Sequence, residues 1–231
     1  MYELLLGFFV VILLILIFIP STIFFMIHIL LYRIGKKYVE PKNINSRKPD
    51  QLISIVIPVK KEPIGYIDDA LKNIFDLDLR NNIEVLIVSD DPKEYYLELK
   101  DLINKWRNRG LNVYLLWRSE PRGYKAGALN TGLWFARGKY LLVLDVDSRF
   151  ERDLLIKAYS IMENEPDVVA VVGRWVGKNR DTRVSEAVYA SMKFIVDSLY
   201  RGRSSLGLPV FPLGSGTMYR VDFLRKKLNG W

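Results

Sequence analysis

Tyr140-Leu-Leu-Val-Leu-Asp-Val-Asp147 is the stretch on which the fold turns. A run of β-formers leads straight into two carboxylates two positions apart, the pattern of a buried parallel strand carrying Asp145 and Asp147 at its C-terminal end. Open α/β sheets bind ligands at that end. Residues i and i+2 of an extended segment point the same way, so both carboxylates are expected to face one hard cation and the phosphate oxygens it bridges. By itself the triplet fits a solvated turn after a strand equally well, and its neighbours have to decide.

Immediately upstream, Arg122-Gly-Tyr-Lys-Ala-Gly-Ala-Leu-Asn130 places two glycines and small residues at the opening of a helix. Such a segment lets backbone approach a ligand, while Arg122, Lys125 and the helix N-terminus supply positive charge suited to a diphosphate. Gly138 closes the helix after about Ala136. Further upstream, Leu52 to Pro58 and Glu84 to Val88 are short apolar runs, ended by Pro58 and by Ser89-Asp90-Asp91, and Asn112 to Trp117 makes a third. Helical periodicity over Tyr66 to Leu77 and a charged helix over Lys93 to Arg109 separate them. This βαβαβ alternation predicts a mostly parallel sheet with helices on both faces. There is no Walker pattern and no Gly-x-Gly-x-x-Gly after the first strand, so neither a P-loop nor a dinucleotide-binding fold is supported.

Downstream, Arg152 to Asn164 reads as a helix and Val168 to Val172 as a strand. Val184 to Tyr200 is an amphipathic helix, expected to pack on the sheet, with a place along a membrane surface as the other reading. Phe211 to Arg220 holds the small-residue turn Gly214-Ser215-Gly216, and Val221 to Leu228 starts a last helix.

The chain of 231 residues has no cysteine, which excludes disulfides, thiolate metal sites and a cysteine nucleophile. Lysine and arginine number 34 against 26 aspartates and glutamates, a net +8 that favours anionic partners. No basic and aromatic cluster of a nucleic-acid reader occurs, so nucleic acid is not an expected partner. From Leu4 to Tyr32 there is no charged side chain, long enough to span a bilayer. Glu3 and the length of the run argue against a cleaved leader. Arg33, Lys36, Lys37, Lys42, Arg47 and Lys48 follow it, so the positive-inside rule predicts a single-pass anchor with a cytoplasmic domain. Pro20 is expected to kink the span, and His28 to pack within it. Residues 1–34 are thus read as an anchor, 35–51 as a basic linker and 52–231 as the soluble domain.

The ordered set Ile57-Pro58 with Glu62, Val88-Ser-Asp-Asp91, Lys125-Ala-Gly-Ala-Leu-Asn130, Asp145-Val-Asp147 and Gly214-Ser-Gly216 resembles the inverting family 2 glycosyltransferases. The likeness is closest to their membrane branch of cellulose, chitin and hyaluronan synthases, over about residues 52–231. It implies a GT-A-like nucleotide-sugar-binding domain. It also implies that Pro58, Glu62 and Asp90 hold the base and ribose of the donor, usually a UDP-sugar, with Lys125 beside the phosphates. Asp145 would face the ribose or sugar and share the metal, and Asp147 would ligate Mg2+ or Mn2+, stabilising the leaving group together with Lys125. Gly214, Ser215 and Gly216 would lie on the acceptor side, the acceptor being a polysaccharide or a lipid-linked glycan. In the family a Glu-Asp pair after a Gly-Gly-Trp-like segment supplies the base. This chain stops at Gly230-Trp231, and Asp197 and Asp222 do not match that motif, so no base is assigned and the catalytic domain is expected to be incomplete at its C-terminus. A partner chain would then supply the remainder. The alternative is a nucleotide-sugar-binding fragment without catalysis. A nucleotidyltransferase on a similar sheet fits the Lys125 and Gly214 motifs less well.

Overall fold

The computed structural model describes residues 2–38, 48–77, 79–151, 153–212 and 214–231. Most of the expected linker, including Lys42 and Arg47, lies outside these residues, as does Arg152, the expected first residue of a helix. Two compact units are present: Met1–Lys42 with Arg174–Phe211, and Asn43–Gly173 with Pro212–Trp231.

The second unit is a six-stranded α/β sheet in the order β3-β2-β1-β4-β6-β5. Its strands are β1 (Ile53–Val59), β2 (Ile83–Ser89), β3 (Val113–Trp117), β4 (Tyr140–Val143), β5 (Ala170–Val172) and β6 (Thr217–Arg220). β3, β2, β1 and β4 pair in parallel, and β6 runs antiparallel to both β4 and β5. Four helices cover it: α2 (Ile64–Phe75), α3 (Lys93–Asn108), α4 (Tyr124–Phe135) and α5 (Asp153–Asn164).

Strand alternation explains why these runs are apolar without a break. Ile53, Ile55 and Ile57 of β1, with Ile83, Val85 and Ile87 of β2, face the core shared with α2, α3 and α5. Val56, Leu86, Val88, Leu141 and Val143 face the opposite core, under α4. Both faces are covered, so both sets of alternate residues must be apolar.

Three expectations change. Pro58 does not end its strand: β1 continues to Val59, and Pro58 pairs in register with Val88. β4 pairs with β1 only as far as Val56, so no ladder bond to β4 is lost at the proline nitrogen. β6, a central strand, lies where only a turn was read, because Thr217-Met-Tyr-Arg220 is short and half polar. The last helix is α-helical only over Val221–Phe223 and continues as π-helix over Leu224–Leu228.

Gly132 seats α4 on the sheet. A Cβ there would lie 2.4 Å from Val56 Cγ1. Arg225 closes the other end of the helix, its Nη2 donating to the carbonyls of Leu133 (2.5 Å) and Ala136 (2.6 Å). At the same end of the helix Glu84 is fully buried, accepting from Ser54 Oγ at 2.6 Å, Arg137 N at 2.7 Å and Arg137 Nε at 2.8 Å.

The first unit holds α1 (Tyr2–Lys36) and α6 (Arg183–Ile195), the latter continued by a π-helix over Val196–Gly202. Leu6–Lys36 is long and apolar enough to cross a membrane. Pro20 lies inside α1, where Ser21 and Thr22 hydroxyls donate back to the carbonyls of Ile17 and Phe18. His28 Nδ1 sits 2.7 Å from the carbonyl of Phe24, and its ring packs on Phe24. α6 has no buried residue.

The Gly132→Ala variant is expected to lose about 1–3 kcal/mol of stability, because β1 cannot recede from an added methyl. Urea unfolding followed by circular dichroism would measure it.

Candidate functional site

β4 stops at Val143, and the chain turns over Asp145 to Ser148, the Ser148 amide donating to the Asp145 carbonyl at 3.0 Å. The two carboxylates therefore occupy a turn and not one face of a strand, Asp145 half-buried and Asp147 exposed. The turn is held from two sides. Asp145 N–H donates to Ser215 Oγ at 2.8 Å, and Ser215 Oγ lies 3.1 Å from Ser148 Oγ. Arg149 Nη1 donates to the carbonyls of Val146 (2.7 Å) and Ser148 (2.8 Å), while its Nη2 reaches the carbonyl of Tyr66 at 3.2 Å.

Lys125 Nζ donates to Asp145 Oδ1 at 2.6 Å. The sequence placed both residues by the sheet edge, and the structure brings them into contact. Its geometry depends on backbone that side chains would obstruct. Gly123 (φ +75) precedes α4, and Gly127 admits the carbonyl of Arg122, which would lie 1.8 Å from a Cβ there.

At the end of β2 the two aspartates divide their work. Asp91 is buried, accepting from Lys61 N–H at 2.5 Å and Ser89 Oγ at 2.9 Å, which ties the loop after β1 to the loop after β2. Asp90 takes a two-point ion pair from Arg118, Nε to Oδ1 at 2.6 Å and Nη2 to Oδ2 at 3.0 Å. That pair is largely shielded, with side-chain exposures of 11% for Arg118 and 7% for Asp90. Glu62 is half-buried in the loop after β1, and its carbonyl accepts from the Tyr95 hydroxyl. Burial, then the Asp91, Glu98 and Glu62 carboxylates, push the Tyr95 phenol above its ordinary range. Arg118, Arg149 and Asp91 were not singled out in the sequence, since nothing local in it marks a contact made across 28 or more residues.

Ser215 is buried and committed to the turn of Asp145. Gly214 (φ +90) and Gly216 (φ +74) need the left-handed backbone, and Gly216 N–H donates to the Val143 carbonyl at 2.8 Å. The end of the chain docks on α4: Trp231 N–H donates to Asn130 Oδ1 at 2.8 Å, and Asn130 Nδ2 donates to the Trp231 carbonyl at 3.2 Å. Asp222 pairs with Lys226 at 3.0 Å and Asp197 with Arg201 at 3.2 Å.

Asp145 and Asp147 are hard oxygen donors, and no group of three or more potential metal-ligating side chains occurs among the described residues. Two carboxylates suit Mg2+ or Mn2+, which complete their coordination with phosphate oxygens and water.

The profile described as Glycosyl transferase family 2 matches residues 54–227. A protein of Sulfolobus acidocaldarius described as a probable glycosyltransferase is 33% identical over 221 residues, covering 94% of this chain and 46% of the relative. Probable glucomannan 4-beta-mannosyltransferase 1 of Arabidopsis thaliana is 32% identical over 114 residues, 46% of this chain and 21% of the relative. The chain thus spans less than half the length of these two relatives. Among solved structures, the mannosyltransferase PcManGT from Pyrobaculum calidifontis, in complex with GDP-Man and Mn2+, superposes with a TM-score of 0.66 at 22% identity, over 91% of this chain and 56% of that one. S. aureus TarS 1-349 in complex with UDP-GlcNAc superposes with a TM-score of 0.53 at 18% identity, over 78% of this chain and 48% of that one. At these identities the likeness is one of fold.

Removing Arg118 alone should leave the shielded Asp90 carboxylate unpaired. Arg118→Ala is expected to cost about 3–5 kcal/mol, and the double variant Arg118→Met, Asp90→Leu clearly less. A double-mutant cycle in denaturant reads the difference.

Proposed function

The chain belongs to glycosyl transferase family 2, and from that premise we propose that it is the donor-binding part of a membrane-anchored transferase. It takes a metal-bound nucleoside diphosphate sugar and, with inversion, glycosylates a polysaccharide or lipid-linked acceptor at the cytoplasmic face. The observation that carries this reading is the Lys125 ammonium 2.6 Å from Asp145, beside exposed Asp147, at the carboxyl ends of the parallel strands.

In this reading Asp145 and Asp147 hold Mg2+ or Mn2+, which when bound supplies Lewis-acid stabilisation of the departing diphosphate. Lys125 adds a second positive charge at the phosphates. Before the donor arrives its ammonium is neutralised by Asp145, so the contact keeps both groups in place at modest cost. Asp90 and Glu62 receive the base and ribose, with Pro58, near the end of β1 before the Glu62 loop, contributing to the same site. Gly214 and Gly216 offer backbone to the acceptor side, while Ser215 holds the Asp145 turn. The attacking hydroxyl also has to lose a proton. Asp222 and Asp197 are tied to Lys226 and Arg201, and neither is assigned as base. No residue of this chain is assigned as that base, and a binding module without catalysis is the alternative reading.

The Arg118 fork bears on the choice of base. It already engages both oxygens of Asp90. A uracil asks one acceptor for its N3–H and offers carbonyl oxygens to a neighbouring cation, which fits a carboxylate shared with arginine. Guanine presents two donors to a carboxylate edge and fits a shared one less well. A UDP-sugar is therefore the first reading. A GDP-linked mannosyl donor is the second, favoured by the mannosyltransferases among the relatives.

Titration calorimetry of the detergent-solubilised chain with UDP and with GDP, each with and without Mn2+, tests this. Binding is expected only with Mn2+, to be lost in Asp147→Ala, and to weaken by about tenfold or more in Lys125→Ala, the loss of a charged hydrogen bond. Binding indifferent to the metal and to both substitutions would overturn the donor site. Tight GDP binding without UDP binding would select the second reading.

A further inference from the structure

α6 and its continuation raise a separate question, because an amphipathic helix that buries no residue needs something to cover its apolar side. Its polar side carries an exposed ion pair within the first unit. Arg180 makes a two-point pair with Glu186, both bonds 2.7 Å, and lies over the Tyr189 ring at 4.4 Å. By helical periodicity Val184, Val188 and Ile195 lie on another face, and they are 74%, 51% and 41% exposed. Beyond the π-helix, Leu206, Leu208 and Phe211 are exposed as well.

The level of this stripe along α1 is given by three contacts inside the same unit. Tyr32 packs against Phe194, with ring centroids 5.2 Å apart. Gly35 lets the helices touch, since a Cβ there would lie 1.7 Å from the Asp197 carbonyl, and a Cβ at Gly202 would lie 2.3 Å from the Leu31 carbonyl. These contacts fall in the last turns of α1, where its apolar run gives way to Arg33, Lys36 and Lys37. If α1 spans a bilayer, that is the height of the headgroups. Lys193 and Arg203 add positive charge nearby, while the neighbouring acids Glu186 and Asp197 are neutralised by Arg180 and Arg201.

We propose that Val184, Val188 and Ile195, continued by Leu206, Leu208 and Phe211, lie in the headgroup region of an anionic bilayer. The helix then lies in the membrane plane, its apolar stripe among acyl chains and its basic residues at lipid phosphates. This rests on α1 being a membrane span, and the test separates the two.

The absence of cysteine permits single-cysteine variants of the full chain. Val188→Cys, Ile195→Cys, Ala190→Cys on another face of α6, and Phe18→Cys in α1 are labelled with an environment-sensitive fluorophore. Each is reconstituted in vesicles of phosphatidylcholine and phosphatidylglycerol containing lipids spin-labelled at shallow or deep positions. The expected result is blue-shifted emission quenched by shallow labels at 188 and 195, water-like emission at 190, and quenching by deep labels at 18. Water-like emission at 188 and 195 with position 18 still quenched would overturn the interfacial helix and leave the span standing. Blue-shifted but unquenched probes at 188 and 195 would mean that protein covers the stripe, which also overturns it. Water-like emission at all four positions would overturn the span and the proposal together.

Discussion

Parallel strands cannot be joined by a tight hairpin, and this constraint organises the sheet-bearing unit. β1, β2 and β3 each leave the sheet at the same edge and return to the opposite edge through α2, α3 and α4. Glu62, Asp90, Arg118, Lys125 and Asp145 thus follow the carboxyl ends of strands on one edge of the sheet although they are scattered along the chain, and Asp90 pairs with Arg118 and Asp145 with Lys125. The reversed strand β6 brings the remaining turn to that edge. Thr217, its first residue, stands opposite Val143, the last of β4, so Gly214 to Gly216 arrive beside Asp145. The antiparallel step delivers an opposing wall.

Beyond the ends of the strands there is little apolar surface to bury, so polar contacts fix the loops. Asp91 ties two loops, Arg118 grips Asp90, Arg149 donates to the carbonyls of Val146 and Ser148 on either side of Asp147, and Ser215 receives the Asp145 amide. Such bonds are worth about 1–3 kcal/mol net each, the larger figure where a charged group takes part, against several for a buried side chain in the sheet. The site is ordered by many weak constraints mounted on a strong base. That division leaves its side chains free to exchange partners when a ligand arrives without loosening the core.

Much of this could be read in the amino-acid sequence, for identifiable reasons. Strands covered on both faces announce themselves as unbroken apolar runs, and β1, β2 and β4 were read that way. β6 escaped because four residues, two of them polar, carry no period. Pro58 was read as a stop because a sequence does not say where a neighbouring strand ends. Asp145 and Asp147 were found as a pair, but their disposition in a turn depends on Ser215, 70 residues away. The amphipathic period of α6 was plain, whereas its use was not, since a stripe meant for a core and one meant for another phase look alike in the sequence.

The grip of Asn130 on Trp231 has a mechanical consequence. A carboxamide that accepts from one backbone N–H and donates to the carbonyl of the same residue imitates a rung of a β-ladder. It is mounted on the helix that carries Lys125 near its start, about 7.5 Å away along the axis. α4 thus carries the Lys125 cation in its first turn and the Asn130 clasp in its middle, and the close contact of Gly132 with Val56 fixes both to the sheet. The position of the Trp231 backbone is therefore set by the same rigid helix that sets the position of the Lys125 ammonium.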